Sequence, residues 1–143
     1  MITNAEWQRL KEMVSGLVQG DIDLNTETYT YEWPGGSATW NIAKAKQCIL
    51  DGRAAGWNDV PRDQLQIIAD RYEYDEAKVT LADPSIPGIA APILDQDQVV
   101  YVIVDGIHRA VRAYRDGQPF IVLILSDSDS RTCILGSWEG LVP

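Results

Sequence analysis

Residues Val99 to Leu125 read VVYVIVDGIHRAVRAYRDGQPFIVLIL, and this stretch decides the fold. Val99–Val104 is a continuous apolar run, the pattern of a strand buried on both faces. Phe120–Leu125 is a second run of the same kind. Between them, Ile107–Asp116 has helical spacing and stops at Gly117, a residue suited to the left-handed turn that closes helices. The connection Asp105–Pro119 is long enough for a crossover between parallel strands. Strand, turn, helix and strand together predict a mixed α/β fold (an α+β mixed sheet).

Upstream, Asp83–Pro92 holds Pro84, Pro87, Gly88 and Pro92, which predicts an irregular, rigid loop. Asp63–Arg71 and Lys44–Leu50 read as helices, the latter closed by Asp51-Gly52. Thr28–Trp33 and Ala38–Ile42 are rich in aromatic and β-branched residues and flank Pro34-Gly35-Gly36-Ser37, a hairpin signal. Thr3-Asn4-Ala5-Glu6 has the form of a capping box. It opens a helix with Trp7, Leu10, Met13, Val14, Leu17 and Val18 on one face, expected to end at Gly20. Beyond Ser126 the chain is acidic and Ser-rich, with a last strand expected at Thr132–Leu135. Repeats and Pro/Ser linkers are missing from the sequence. One domain over 1–143 is therefore expected: an N-terminal helix, hairpin and helix (1–59), a core (60–125) and an acidic C-terminal segment (126–143).

With 143 residues, 45% hydrophobic and 23% charged, the chain has ordinary globular composition, which excludes wholesale disorder. Its 12 basic and 21 acidic residues leave a formal charge of −9. A duplex-DNA coat needs the opposite balance, so non-specific DNA binding is not expected. A small ligand or a basic protein partner suits the charge. No apolar run approaches the ~18 residues of a membrane span, and Met1–Gln8 lacks the pattern of a secretory signal. A cytoplasmic location with two inert thiols, Cys48 and Cys133, is the expectation. These and the lone His108 are too few for structural zinc.

One constellation carries chemistry. Asp105-Gly106-Ile107-His108-Arg109 sits where a strand turns into a helix. A helix start offers unpaired N–H groups and an electropositive dipole end. Gly106 permits close backbone approach, and His108 and Arg109 add donors, so both halves of an anion site are present. Asp105 has two readings that the sequence leaves open. It caps the helix, or it is a catalytic carboxylate that holds Mg²⁺ or takes a proton. Ile107, Ala110, Val111 and Tyr114 form one helix side; Arg109, Arg112 and Arg115 form the other. Arg112 and Arg115 suit a solvated, ion-paired face, although Arg112 is near enough to the helix start to count among the phosphate contacts. Trp33, Trp40, Trp57, Tyr29 and Tyr31 fit a core better than a base-stacking platform. Asp127 and Asp129, with Ser126, Ser128 and Ser130, fit a solvated turn better than a cation site. Asp83, Asp95 and Asp97 flank the motif as further carboxylates.

The segment running from Pro92-Ile93-Leu94 through Val99–Val104, Asp105-Gly106-Ile107-His108-Arg109 and Gly117 to Phe120–Leu125 resembles the ParB/sulfiredoxin superfamily. Val60-Pro61 to Leu65 and Ser85–Pro92 look like that superfamily's earlier strand and the loop leading into its motif. The resemblance covers Val60–Leu125 and implies a nucleotide at the motif. His108 and Arg109 would contact phosphate, Gly106 would give close backbone approach, and Asp105 would match the catalytic Asp of the kinase branch. Ile107 stands where sulfiredoxins carry their reactive Cys, so sulfinic-acid reduction is not expected. The GERR-type turn and helix-turn-helix domain of chromosome-partitioning members are missing from the sequence. Ile107-His108 stands where the serine-kinase turn has two histidines.

The sequence therefore leads to a nucleotide- or phosphate-binding protein with Gly106, Ile107, His108, Arg109 and Arg112 at the phosphate. Asp105 and His108 are its catalytic candidates and Asp105 its metal ligand. Hydrolysis or phosphoryl transfer with ATP or CTP and Mg²⁺ is the expected chemistry. Two alternatives stay open: a non-enzymatic interaction module, such as a phage or plasmid accessory protein with a vestigial pocket, and a metal-dependent nuclease. On the first reading Arg109→Ala is expected to weaken phosphate binding without unfolding the domain.

Overall fold

The computed structural model describes residues 3–17 and 27–135. Its middle layer is a mixed sheet built from β3 (Gly56–Asp59), β4 (Gly88–Asp95), β5 (Gln98–Asp105) and β6 (Ile121–Ile124), in the order β3-β6-β4-β5. Alternation along these strands divides the core. Ile89, Ala91 and Ile93 of β4, Val102 and Val104 of β5, and Leu123 of β6 point to one face. Ala90, Ile103 and Val122 point to the other. Outside Gln98–Tyr101 of β5 both faces are covered, which is why the strands read as apolar runs rather than alternating ones.

The first face packs against α1 (Asn4–Ser15), α2 (Ile42–Leu50) and a small sheet of β1 (Thr28–Trp33), β2 (Gly36–Asn41) and β7 (Ile134–Leu135), ordered β1-β2-β7. The second packs against α3 (Arg62–Arg71), α4 (Glu76–Leu81) and α5 (Ile107–Asp116). The mixed α/β architecture expected from the sequence is thus observed, with its N-terminal helix followed by a hairpin. The capping box of α1 is made in full: Glu6 N–H donates to Thr3 Oγ1 at 3.1 Å and Thr3 N–H donates to Glu6 Oε1 at 3.3 Å. α1 ends earlier than expected, with Gly16 as its C-cap; Val18 and Gly20 lie outside the described residues.

Other readings are corrected. The parallel neighbours are β4 and β6, whereas β4 and β5 are antiparallel, so the strands on either side of α5 run in opposite directions. The cause is a tight hairpin at Gln96-Asp97, both with positive φ (50° and 63°), between the Asp95–Gln98 pair. Gly88–Asp95 is a strand and not a loop. Its ladder to β6 covers only Gly88–Ala90, so Pro92 lies where the backbone has a single partner strand and a missing N–H is tolerated. β5 is an edge strand, buried from Val102 to Asp105 but exposed from Gln98 to Tyr101. Val60–Leu65 is the entry to α3; the strand lies just before it, at β3. The acidic stretch after Ser126 forms α6 (Asp127–Thr132), capped by Ser126 Oγ accepting from Asp129 N–H at 3.0 Å. Asp129 is buried there and binds Arg53 at 2.5 Å. Among the described residues, no helix is long and apolar enough to cross a membrane.

Candidate functional site

The motif lies where β5 gives way to α5. Gly106 is the N-cap residue, in the left-handed region at φ 106°. A Cβ at this position would stand 2.9 Å from the Cα of Gly88, so two strands' backbones meet here in a space only glycines allow. No side chain caps α5. The first turn of this 10-residue helix therefore keeps its dipole end open to a ligand.

Asp105 does not take the capping role, one of the two read from the sequence. It is 9% exposed and does not cap the helix; its Oδ2 accepts from Arg109 Nη2 at 2.8 Å, one turn along. The same Arg109 nitrogen donates to Pro87 O at 3.1 Å. Arg109 is thus drawn inward, with its side chain 18% exposed, and ties the start of α5 to the segment entering β4. Its Nε is buried without a hydrogen-bond partner.

His108 is half-buried on the rim. Its Nε2 accepts from the Asp75 N–H at 3.1 Å, which places the ring proton on Nδ1. Burial lowers its pKa, with Lys78 and Arg109 adding to the effect and Asp75 and Asp105 opposing it. The neutral ring is therefore a hydrogen-bond donor through Nδ1, and its Nε2 is already engaged.

A cleft of about 330 Å³ opens over the helix start, lined by Tyr29, Tyr72, Glu73, Gly106, Ile107 and His108 among others. Burial, reinforced by Tyr72 and Tyr31, pushes the Tyr29 hydroxyl up to about 12. Tyr29 is therefore a neutral donor at physiological pH. Glu27 and Asp105 also line the cleft. Glu27 is 3.6 Å from Lys46, which offsets part of its charge.

Arg112 and Arg115 hold helices together, as an ion-paired face would. Arg112 Nε donates to Asp116 at 2.7 Å and its Nη1 to Thr80 O at 2.6 Å, closing the end of α4. Arg115 makes two bonds to Glu76, at 2.6 and 2.7 Å. Arg112 does not line the cleft with Gly106, Ile107 and His108. The sequence also missed Arg62, which donates to Tyr114 O at 2.7 Å and stacks over the Tyr114 ring. A lone Arg at a helix start carries no signal of such a distant bond.

Three tryptophans and Asp83 are held in structural contacts. Trp40 is fully buried and donates to Ser130 Oγ at 3.0 Å; Trp33 donates to Leu94 O at 3.0 Å. Trp57 donates to Glu6 Oε2 at 2.6 Å. Asp83 binds Ser85 within its own loop. Among the described residues, no three His, Cys, Asp or Glu side chains form a group that could hold a metal ion. Cys48 and Cys133 are free, and burial raises both thiols, Cys133 to about 12. Comparison with family models, with curated proteins and with solved structures finds no match for this chain.

Proposed function

We propose that this chain binds the phosphate group of a nucleotide at the start of α5, as its resemblance to ParB/sulfiredoxin proteins implies. One observation carries the reading: an uncapped helix N-terminus opens into a cleft large enough for a small ligand. Helix-start amides and dipole favour an anion, and Nδ1 of His108 adds a neutral donor. Tyr29 and Tyr72 supply aromatic faces on which a base can rest.

The residues assign themselves differently from the sequence expectation. Gly106, Ile107 and His108 belong to the phosphate contacts. Arg109 and Asp105 act as a positioning pair beneath the helix start. Mg²⁺ enters as the ion a nucleotide brings, since the acids of the cleft, Glu27, Glu73 and Asp105, form no metal-holding group of their own among the described residues. It would offset their charge against the phosphates. Hydrolysis or transfer of a phosphoryl group, with ATP or CTP, is the chemistry such a site would carry out, because that chemistry asks mainly for position and charge stabilisation.

The test is a thermal-shift panel of ATP, CTP, GTP and their diphosphates, with and without Mg²⁺. A ligand at 100 times its Kd adds about 2.7 kcal/mol, a rise of roughly 5–10 °C for a chain of this size. His108→Ala is expected to reduce the shift. No shift with any nucleotide at millimolar concentration overturns the proposal.

A further inference from the structure

On the face that carries α3, opposite the hairpin sheet, the middle sheet is left partly bare. Val99, Val100 and Tyr101 are 50%, 39% and 50% exposed, and Ile67 of α3 is 45% exposed. Between β5 and α3 runs an apolar groove of about 670 Å³, floored by Ala90, Ile103 and Val122. It shares only Tyr72 with the cleft at α5. Among the described residues, β5 is the last strand of its sheet and pairs with β4 alone. An edge of this kind presents unpaired N–H and C=O groups, and proteins ordinarily blunt it with Lys, Pro or a bulge. Gln98–Ile103 contains neither Lys nor Pro, and the one register shift falls at the other end, between Ile89 and Ala90 of β4.

Charge selects the occupant. Asp59 is the single charged side chain among the groove's described lining residues; the polar remainder includes Asn58 and Gln64. Asp97 stands exposed at the tip of the β4–β5 hairpin. The chain as a whole carries −9. A second copy would bring like charge to this edge; a basic segment would bring the complement.

We infer that the open edge of β5, with the groove beside it, takes an extended segment of a basic partner protein as an added strand. Main-chain hydrogen bonds to Gln98–Tyr101 supply affinity. Alternate apolar side chains of the segment enter the groove against Val99, Tyr101 and Ile67, and its Lys or Arg residues face Asp97 at the hairpin tip. This surface is independent of the nucleotide proposal.

The experiment pans a displayed library of random twelve-residue peptides against the full chain and measures the enriched sequences as synthetic peptides by fluorescence anisotropy. Expected are sequences with apolar residues at every second position and with Lys or Arg. Their affinity should fall at least tenfold on the exposed-site change Tyr101→Lys, and several-fold on Asp97→Asn, with circular dichroism unchanged. Val99→Lys serves as a second edge variant. Nucleotide-induced thermal shifts should be the same in all three. Failure to enrich any sequence, anchors at helical spacing, or affinity indifferent to Tyr101→Lys overturns the inference. Sedimentation showing a dimer that Tyr101→Lys dissolves would overturn it too, by making a second copy the occupant.

Discussion

Arg109 reaches back one helical turn to Asp105, Nη2 to Oδ2 at 2.8 Å, and both side chains are largely withdrawn from solvent. The pair joins the end of β5 to α5, and the second bond, to Pro87 O, carries the same guanidinium to the residue before β4. The two most chemically suggestive residues of the motif thus stabilise each other and the turn they flank.

Arg109→Ala should therefore act on stability first. It leaves the Asp105 carboxylate buried without its partner, and breaking a buried pair on one side costs about 3–5 kcal/mol. Urea unfolding measures it. A loss below about 1 kcal/mol would return Arg109 to the role of a surface ligand, for which the charge-assisted contact would be worth roughly 1.5–3 kcal/mol of binding. Asp105→Asn keeps an acceptor toward Arg109 and should cost less than Arg109→Ala.

His108 should titrate below the ordinary histidine value. The folded pKa is lowered, so the folded state binds fewer protons than the unfolded one between the two values. The stabilisation is fully present above the unfolded value of about 6.5 and is lost as pH falls through the folded value. Since the chain has one histidine, an NMR titration of its ring reads the pKa without overlap. His108→Gln, whose amide oxygen can still accept from Asp75 N–H, should flatten the decline of stability below pH 6.5. A ring titrating at or above 6.5 contradicts the burial that lowers it.

Gly106→Ala should destabilise by strain. The residue has φ 106°, and the new Cβ would come within 2.9 Å of the Gly88 Cα, a backbone atom that cannot rotate away. A non-glycine residue in such a region costs about 1–3 kcal/mol before the clash is counted. Gly117→Ala is the control: its φ is 65° but no atom lies within 4 Å of the added Cβ, so it should cost less. Equal losses at the two positions would mean that the contact with Gly88 does not matter.

The chain should not bind random duplex DNA at ~0.15 M salt. Non-specific affinity comes from phosphate neutralisation, and the charge is −9. The row of arginines on α5 is also spent, Arg109 on Asp105, Arg112 on Asp116 and Thr80 O, and Arg115 on Glu76. Micromolar binding in a gel-shift titration, falling steeply with added salt, would contradict this and favour the nuclease alternative.

Local rules made much of this legible before any coordinates. The capping box of Thr3 and Glu6, the hairpin around Pro34–Gly36, the bounds Ile107–Asp116 and the glycines that frame α5 depend on neighbours within a few residues. The alternation hidden inside apolar runs made the middle sheet visible but not its order. Strand direction turned on Gln96-Asp97, a pair without the Asn-Gly or Asp-Gly signature that marks such hairpins.

What the sequence by itself determined is the class of fold and the place where a strand yields to a helix; that Gly106 and not Asp105 is the N-cap there was decided by the structure. Only the tertiary structure decided what the motif's charges do. Asp105 and Arg109 meet because four residues make one helical turn, but their burial comes from Pro87 and Gly88 closing over them, which no local pattern encodes. Arg112 and Arg115 are bound by residues of α4, more than thirty positions away in the chain. Burial is a property of what packs on a residue, so the same Val99–Val104 run that looked uniformly interior is half core and half open edge.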